Sequence, residues 1–230
     1  MTLRTNRLTA IALIAILMFM SLAPIAAAES VNPSRVTIAR LKYFGGGDWY
    51  WGNSSLPNLI NYIKQNTSIP ISDDEVRVSL QDDRLFNFPF IYITGHGPIR
   101  LAVDEADKLN HYLTSGGFLF ANDSYGLRES FVDAMKDVFP DIDPVEIPFT
   151  HGLFSCYYSF PNGLPKIHKH DGLPPQAYGW FSEGRLVALL AYESDIGDGW
   201  EDPQVHNDPQ EVREQAFKMG VNILTWALMN

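Results

Sequence analysis

The sequence predicts a single α/β domain that is built on a mainly parallel β-sheet. Short apolar runs alternate with helical patterns of apolar residues along most of the chain. Two of these runs, Phe90–Thr94 and Phe118–Ala121, are apolar at nearly every position, as expected of parallel strands that are buried on both faces. A chain of 230 residues is also long enough to enclose one substantial core.

The predicted strands are runs rich in β-branched and aromatic residues, with turn signals on either side. In chain order they are Val36–Tyr43, Glu75–Leu80, Phe90–Thr94, Phe118–Ala121 and Arg185–Glu193. The segment Asp141–Glu183 lies between the last two strands and is rich in proline, glycine and aromatic residues with weak periodicity. We therefore expect it to form an irregular insertion over one edge of the sheet.

Helices are predicted between these strands from their start and stop signals. Ser54 or Ser55 is expected to cap a helix that begins near Leu56. The last helix has the best-marked start, because Asp208 and Glu211 match a capping box. Two further helices are predicted over Val103–Leu113 and Ser130–Phe139.

The N-terminus has the three-part layout of a secretory signal peptide. Arg4 and Arg7 precede an apolar run that starts at Leu8, and small residues up to Ala28 form a cleavage signal. The pattern predicts a signal peptide over residues 1–28 and a soluble α/β domain over residues 29–230, located in the periplasm or outside the cell. An uncleaved membrane anchor is the alternative, since the apolar segment is just long enough to span a bilayer.

The charge of the mature chain narrows the class of partner. Without Arg4 and Arg7 the chain has 17 − 2 = 15 basic residues against 27 acidic ones, a net charge of −12. Such a field repels nucleic acid and anionic membrane surfaces. Cys156 is the only cysteine, which excludes an intramolecular disulfide.

Four polar, glycine-containing loops follow the predicted strands, and we expect them to form one site. Loops at the carboxyl ends of parallel strands meet at the same edge of a sheet, where ligands bind in such folds. The loops read "GGGDWYWG", "GHG", "NDSYG" and "SDIGDGWED". They predict a ligand pocket formed by Asp48, Trp49, Tyr50, His96, Asp123, Ser124, Asp195, Asp198 and Trp200.

Several spaced motifs resemble a bacterial family known as domain of unknown function 4159. The motifs are "RLKYFGGGDWY", "YITGHG", "YLTSGGFLFANDSYG", "YGWF", "SDIGDGWEDPQVH" and "KMGVNILTWALMN", and they cover nearly all of the mature chain. The resemblance implies a flavodoxin-like sheet with helices on both faces, similar to class I glutamine amidotransferases and trehalose-utilisation (ThuA-like) proteins. It does not imply an activity.

The amidotransferase resemblance suggests a position for a nucleophile. Ser124 stands where the cysteine of the "G-x-C-x-G" elbow would be, and His96 or His206 is a candidate base, with His151 a further alternative. However, Asn122 replaces the first glycine of the elbow, and no His-x-Glu pair follows the last strand. Glutaminase chemistry is therefore not expected. The alternative is that Ser124 makes only turn contacts.

The acidic loop after the last strand allows more than one interpretation. Asp195 and Asp198 could bind a divalent cation such as Ca²⁺, although their spacing does not match an EF-hand loop. Carboxylates beside aromatic faces would also suit a sugar-like ligand. His168 and His170 form a His-x-His pair that could bind zinc or copper. Their position inside the irregular insertion favours an exposed loop instead.

The sequence thus predicts an exported domain of uncharacterised function that binds a small polar, sugar-like or peptide-like ligand at the carboxyl edge of its sheet. One alternative is a hydrolase that uses Ser124 with a histidine, or a water activated by carboxylates. The other is a protein-interaction scaffold of the cell envelope. A divalent cation is the one cofactor that the residues suggest.

Overall fold

The structure is a computed structural model, and it describes residues 34–229. The predicted signal peptide lies outside this part of the chain. Seven strands form one sheet: β1 (Ile38–Lys42), β2 (Val76–Ser79), β3 (Phe90–Gly95), β4 (Phe118–Asp123), β5 (Val145–Glu146), β6 (Gln176–Ser182) and β7 (Arg185–Tyr192).

The sheet is mixed but mostly parallel, which confirms the predicted fold class. Its order is β2-β1-β3-β4-β7-β6-β5. The first five strands in this order run parallel to one another, whereas β6 is antiparallel to both of its neighbours, β7 and β5. Counted among themselves, the parallel strands have the order 2-1-3-4-5 of flavodoxin-like sheets, with the switch point between β1 and β3.

Six helices accompany the sheet in the described part of the chain. They are α1 (Ser55–Asn66), α2 (Val103–Thr114), α3 (Arg128–Val138), α4 (Ile196–Gly199), α5 (Pro203–His206) and α6 (Gln210–Met229). Within residues 34–229, no helix is both long and apolar enough to cross a membrane. The four longer helices were expected from the sequence; the two short ones, α4 and α5, were not.

The main core lies on one face of the sheet, under α1 and α6. Alternate side chains of the strands, such as Ile38, Tyr92 and Phe120, join apolar residues of these two helices in one buried cluster. Helices α2 and α3 contact each other, and their buried residues are not members of that cluster, which places them on the opposite face.

The segment Asp141–Glu183 is more regular than predicted. It contains β6, a seven-residue strand that pairs along its whole length with β7. Gly179 interrupts the side-chain pattern of this strand, and a Cβ atom there would lie 2.6 Å from Leu186 Cδ1. The missing side chain makes room for Leu186. It also interrupts the alternation of apolar and polar residues by which a strand is recognised in a sequence.

Candidate functional site

The loops that follow β1, β3, β4 and β7 meet at the carboxyl edge of the sheet. Asp48 Oδ2 accepts a hydrogen bond from His96 Nδ1 at 3.1 Å, and Asp48 Oδ1 accepts another from the His96 backbone N–H. Asn122 Nδ2 lies 3.5 Å from Asp195 Oδ1. Trp51 Nε1 donates to Asp198 Oδ1 over 3.0 Å, which links the first loop to the last. The predicted convergence of the loops is therefore observed.

Gly95 allows the close contact between the first two of these loops. Its φ is +138°, and a Cβ atom at this position would lie 2.8 Å from Asp48 Oδ1 and 2.5 Å from the hydroxyl oxygen of Tyr43. A larger residue would displace Asp48 from His96. Because His96 Nδ1 is held by Asp48, Nε2 is the nitrogen that this partly exposed ring presents towards solvent.

Asp195 occupies the centre of the acidic loop. It is 2% exposed, and its backbone has the left-handed φ of +59° directly before α4. Its Oδ2 atom accepts hydrogen bonds from His168 Nδ1 at 2.9 Å and from His170 Nε2 at 3.0 Å. Burial opposes ionisation of this carboxyl, but the two histidines outweigh it and hold its pKa below the usual range.

The same contacts act on the two histidines. The hydrogen bond to Asp195 raises the pKa of His168 to about 9, against the opposing effect of burial. The same partner raises the pKa of His170, whose side chain is 8% exposed. In the described chain, His170 Nδ1 is buried without a hydrogen-bond partner. The expectation that the His-x-His pair lies in an exposed loop was therefore wrong, because the insertion folds back onto the acidic loop.

Asp198 lies one helical turn further along and is held in one orientation. Trp51 binds its Oδ1 atom, so that Oδ2 faces His206 Nε2 at 3.4 Å and His168 Nδ1 at 3.7 Å. Burial raises the pKa of Asp198 to about 7, and the nearby charge of Asp195 adds to the effect. Burial is therefore the main reason that this carboxyl holds its proton more tightly than an exposed aspartate does.

Two further carboxylates contact the histidines: Glu201 at the same Nε2 atom of His206 that faces Asp198, and Asp208 at the outer nitrogen of His168. Glu201 Oε2 accepts from His206 Nε2 at 2.9 Å, and Glu201 is 6% exposed. Asp208 Oδ2 lies 3.1 Å from His168 Nε2. Asp208 was expected to cap the last helix; its carboxylate instead contacts an imidazole, which the sequence spacing did not indicate.

Three of these side chains form a group that could hold a metal ion. One ligand atom each from His168, Asp198 and His206 lies within 4.8 Å of the other two. The three residues come from the segment before β6, from α4 and from α5 respectively. Asp195 belongs to the surrounding hydrogen-bond network instead of to this group, although the sequence suggested it as a ligand beside Asp198.

One comparison with known proteins identifies the chain. The family model described as Domain of unknown function (DUF4159) matches residues 37–228. The chain belongs to this family. No curated protein matches it. The site must therefore be interpreted from its own geometry.

The elbow region of this DUF4159 chain is not arranged for serine catalysis. Ser124 is 2% exposed, and its Oγ atom contacts Thr94 Oγ1 at 3.1 Å and Asn122 Nδ2 at 3.1 Å. No hydrogen bond joins it to a histidine within residues 34–229. In a nucleophile elbow the strained backbone belongs to the nucleophile; here the positive φ of 99° falls on Tyr125.

Asp123 has a structural role in the same turn. Its Oδ1 atom accepts hydrogen bonds from the backbone N–H groups of Tyr125 and Leu127, each at 2.9 Å. These bonds fix the turn between β4 and α3, as the turn interpretation of "NDSYG" anticipated. Burial raises the pKa of this carboxyl. The Asp123 carboxylate makes no hydrogen bond to His168, Asp198 or His206.

A fluorophosphonate probe should fail to label the purified protein, because Ser124 lacks both access to solvent and a histidine base. Mass spectrometry of the intact protein after probe treatment measures this directly. A Ser124→Ala variant serves as the blank. An adduct in the wild-type protein that Ser124→Ala abolishes would contradict the structural role.

The aromatic residues of the rim differ from the predicted set. Trp200 is 1% exposed and donates to the Ala216 carbonyl, so it belongs to the core and cannot offer a face to a ligand. Trp49 lies against Lys42, and Tyr50 is exposed. Trp51, from the same loop as these two residues, contacts Asp198 of the acidic loop. The sequence indicated Trp51 only by its position in the loop after a predicted strand, and Trp49 and Tyr50 share that position.

Proposed function

We propose that this domain is a metalloprotein in which His168, Asp198 and His206 bind one divalent transition-metal ion. The observation that supports this most directly is the approach of three ligand atoms from separate parts of the chain to within 4.8 Å of one another. Imidazole nitrogen and carboxylate oxygen are ordinary ligands of zinc and of iron(II). A zinc-like ion fits the donors best, for the geometric reason that follows.

Two of the three spacings between the ligand atoms are close to those expected around a tetrahedral ion. Atoms bound at about 2.0–2.1 Å in tetrahedral geometry lie about 3.3 Å apart. Asp198 Oδ2 is 3.4 Å from His206 Nε2 and 3.7 Å from His168 Nδ1. Binding therefore requires side-chain shifts of only tenths of an ångström at these two pairs. The protons on His168 Nδ1 and His206 Nε2 must leave, because these nitrogens now donate to Asp195 and to Glu201.

The outer contacts of these residues are those of a metal site. A metal-binding histidine usually donates its other N–H group to a carboxylate, which fixes the ring. His168 is oriented in this way, with Nε2 at Asp208 while Nδ1 faces the group. Asp198 is likewise oriented by Trp51, which leaves Oδ2 free. Two of the three ligands therefore already have their orienting partners.

The charge of the site also favours a cation. Asp195, Asp198 and Glu201 are each at most 6% exposed and lie within one short loop. Buried carboxylates require compensation by cations or by hydrogen bonds. Protonated histidines supply part of it in the metal-free protein. A divalent ion would supply it more completely, and the net charge of −12 expected for the mature chain would attract such an ion.

Hydrolysis is the reaction that this arrangement suits. Three protein ligands leave a fourth position open, as in catalytic zinc sites, where the ion lowers the pKa of a bound water molecule. His96 and the exposed rim lie at the switch point between β1 and β3, where ligands bind in flavodoxin-like sheets. The small polar ligand predicted from the sequence would be the substrate. A pure interaction scaffold would not need this cluster.

Metal content tests the proposal. Purified wild-type protein, incubated with Zn²⁺ and then dialysed extensively, should retain about one ion per chain. His206→Gln should lose at least 90% of the bound ion, since the amide cannot replace an imidazole ligand. Loss of a partner that orients a ligand already lowers metal affinity about 10- to 100-fold, and loss of the ligand itself should lower it at least as much. Elemental analysis by mass spectrometry measures the ratio.

His111→Gln is the matched control, because His111 is exposed on α2, away from the group. It should retain as much zinc as the wild type. Zinc that survives dialysis equally in wild type and His206→Gln would refute the assignment of ligands. Failure of the wild type to retain Zn²⁺, Co²⁺ or Fe²⁺ would refute the metalloprotein itself.

The proposal also includes export of the domain and similarity of its fold to known families. The basic start, the apolar run and the small residues before Glu29 support secretion of the domain to the periplasm or outside the cell. The 2-1-3-4-5 order of the parallel strands supports the likeness to amidotransferase-like and ThuA-like folds. With Asn122 at the elbow and Ser124 buried, the shared architecture would be retained without the amidotransferase nucleophile.

A further inference from the structure

We propose that Trp51 and Arg40 are positioning residues for the metal-binding carboxylate of Asp198. This inference rests on the proposed metal site. It assigns a role to a fully buried arginine that would otherwise only form an ion pair in the core. It also assigns a role to a tryptophan whose loop contains none of the metal ligands. Together they connect strand β1 to one ligand atom.

Arg40 lies on β1, and its side chain is 0% exposed. Its Nε atom donates to Glu75 at 2.9 Å. The other nitrogens face the loop after β1: Nη1 donates to the Trp51 carbonyl at 2.6 Å and Nη2 to the Gly52 carbonyl at 3.1 Å. Nη2 also lies 3.4 Å from Ser55 Oγ. The guanidinium therefore fixes consecutive carbonyls of the loop as well as its carboxylate partner.

Trp51 connects the loop that Arg40 fixes to the carboxylate of Asp198. Its backbone is bound by Arg40, and its indole Nε1 donates to Asp198 Oδ1 at 3.0 Å. The ring packs edge-on against His96, with centroids 4.6 Å apart and planes at 82°. The indole is thus held at its backbone and on its ring. A carboxylate that accepts from such a fixed donor keeps its second oxygen towards His168 and His206.

A purely structural role explains these contacts less well. Burying an ion pair is often no more stabilising than an apolar pair of the same volume, so Arg40 with Glu75 alone gives little reason for a charge in the core. The two carbonyl contacts show what the guanidinium adds, namely a fixed path for residues 51 and 52. A ligand that is oriented before the ion arrives loses less side-chain entropy on binding.

Trp51→Phe tests the link, because it removes the indole N–H and retains an aromatic ring. The probe is Co²⁺, whose visible absorption reports its coordination geometry. The variant should bind Co²⁺ about 10- to 100-fold more weakly than the wild type, as expected when an outer contact of a ligand is lost. Its absorption bands should also shift, because Asp198 can then rotate. Competition with a chelator gives the affinity.

Trp49→Phe is the matched control. Trp49 belongs to the same loop but lies against Lys42 and Arg77, so its replacement should leave the affinity and the spectrum of Co²⁺ unchanged. Equal affinity and identical spectra for wild type and Trp51→Phe would overturn this inference while leaving the metal site intact. A wild type that binds no Co²⁺ would overturn the metal site as well.

Arg40→Lys extends the test to the buried end. Lysine keeps the charge but cannot contact Glu75 and both carbonyls at once. A folded Arg40→Lys variant should show the same spectral shift as Trp51→Phe. If Arg40→Lys does not fold, Glu75→Gln serves in its place, since it weakens the hold on Arg40 without removing it. An unchanged Co²⁺ spectrum in the folded variant would show that Arg40 acts on stability alone.

Discussion

Replacing Asp198 with asparagine should abolish the stabilisation of the protein by Zn²⁺ while leaving the metal-free protein folded. An asparagine Oδ1 atom can still accept the hydrogen bond from Trp51, and the loss of charge relieves the repulsion from Asp195. The variant lacks the carboxylate oxygen that faces the two histidines. Metal binding, and with it the stabilisation, should therefore be lost.

The size of the effect follows from linkage between binding and folding. An ion at about 100 times its Kd adds about 2.7 kcal/mol to the free energy of unfolding. For a domain of about 200 residues, this corresponds to a rise in Tm of about 5–11 °C. Calorimetry with and without Zn²⁺ should show this rise for the wild type and none for Asp198→Asn.

Asp202→Asn is a suitable control for this experiment. Asp202 lies in the same acidic loop, but its Oδ1 atom accepts from Asn58 and takes no part in the group of three. Its Zn²⁺-dependent rise should equal that of the wild type. A rise that persists in Asp198→Asn would mean that the ion binds through other carboxylates of the loop.

The sequence predicted the part of the fold that depends on local patterns. The strands β3 and β4 are continuous apolar runs, and they are buried in the centre of the sheet because both faces are covered. Strand β6 was missed because its single glycine accommodates a residue of the neighbouring strand. A contact of this kind is visible only when both strands are in place. Helices α4 and α5 were too short to show a periodicity.

The candidate site was predicted only in outline, for a similar reason. The rule that parallel strands gather their loops at one edge placed His96, Asp195 and Asp198 together. The rule says nothing about an insertion that returns from elsewhere, and His168 reaches the site across 27 residues of chain from Asp195. A His-x-His pair in an irregular segment is normally expected at the surface. The contact with Asp208 was hidden because the same residue matches a helix cap.

Asn122→Leu should cause the largest loss of stability among variants of the site. Asn122 is 0% exposed, and its Oδ1 atom accepts from the Gly197 N–H at 3.0 Å. Leucine has a similar volume but cannot accept this bond, and an unpaired buried N–H costs about 1–3 kcal/mol. The Nδ2 contact with Ser124 is lost as well. We expect the free energy of unfolding to fall by about 2–4 kcal/mol in total.

The close packing of the turn makes the effect local to the site. A Cβ atom on Gly197 would already lie 2.4 Å from the Tyr92 hydroxyl and 2.9 Å from Asn122 Nδ2, so the turn has no room to adjust to a branched side chain. Denaturant unfolding measures the loss. Asn110→Leu is the control, because Asn110 donates to a single carbonyl on α3 and should cost less.

The same variant tests whether β4 supports the proposed metal site. Asn122 lies near the end of β4, and it supports the turn that carries Asp195 and Asp198. Asn122→Leu should therefore reduce retention of Zn²⁺ even at temperatures where it is folded, whereas Asn110→Leu should not. If Asn122→Leu were destabilised but retained the ion with wild-type affinity, the turn would not depend on this side chain for its shape. The buried amide of Asn122 would then contribute to stability alone.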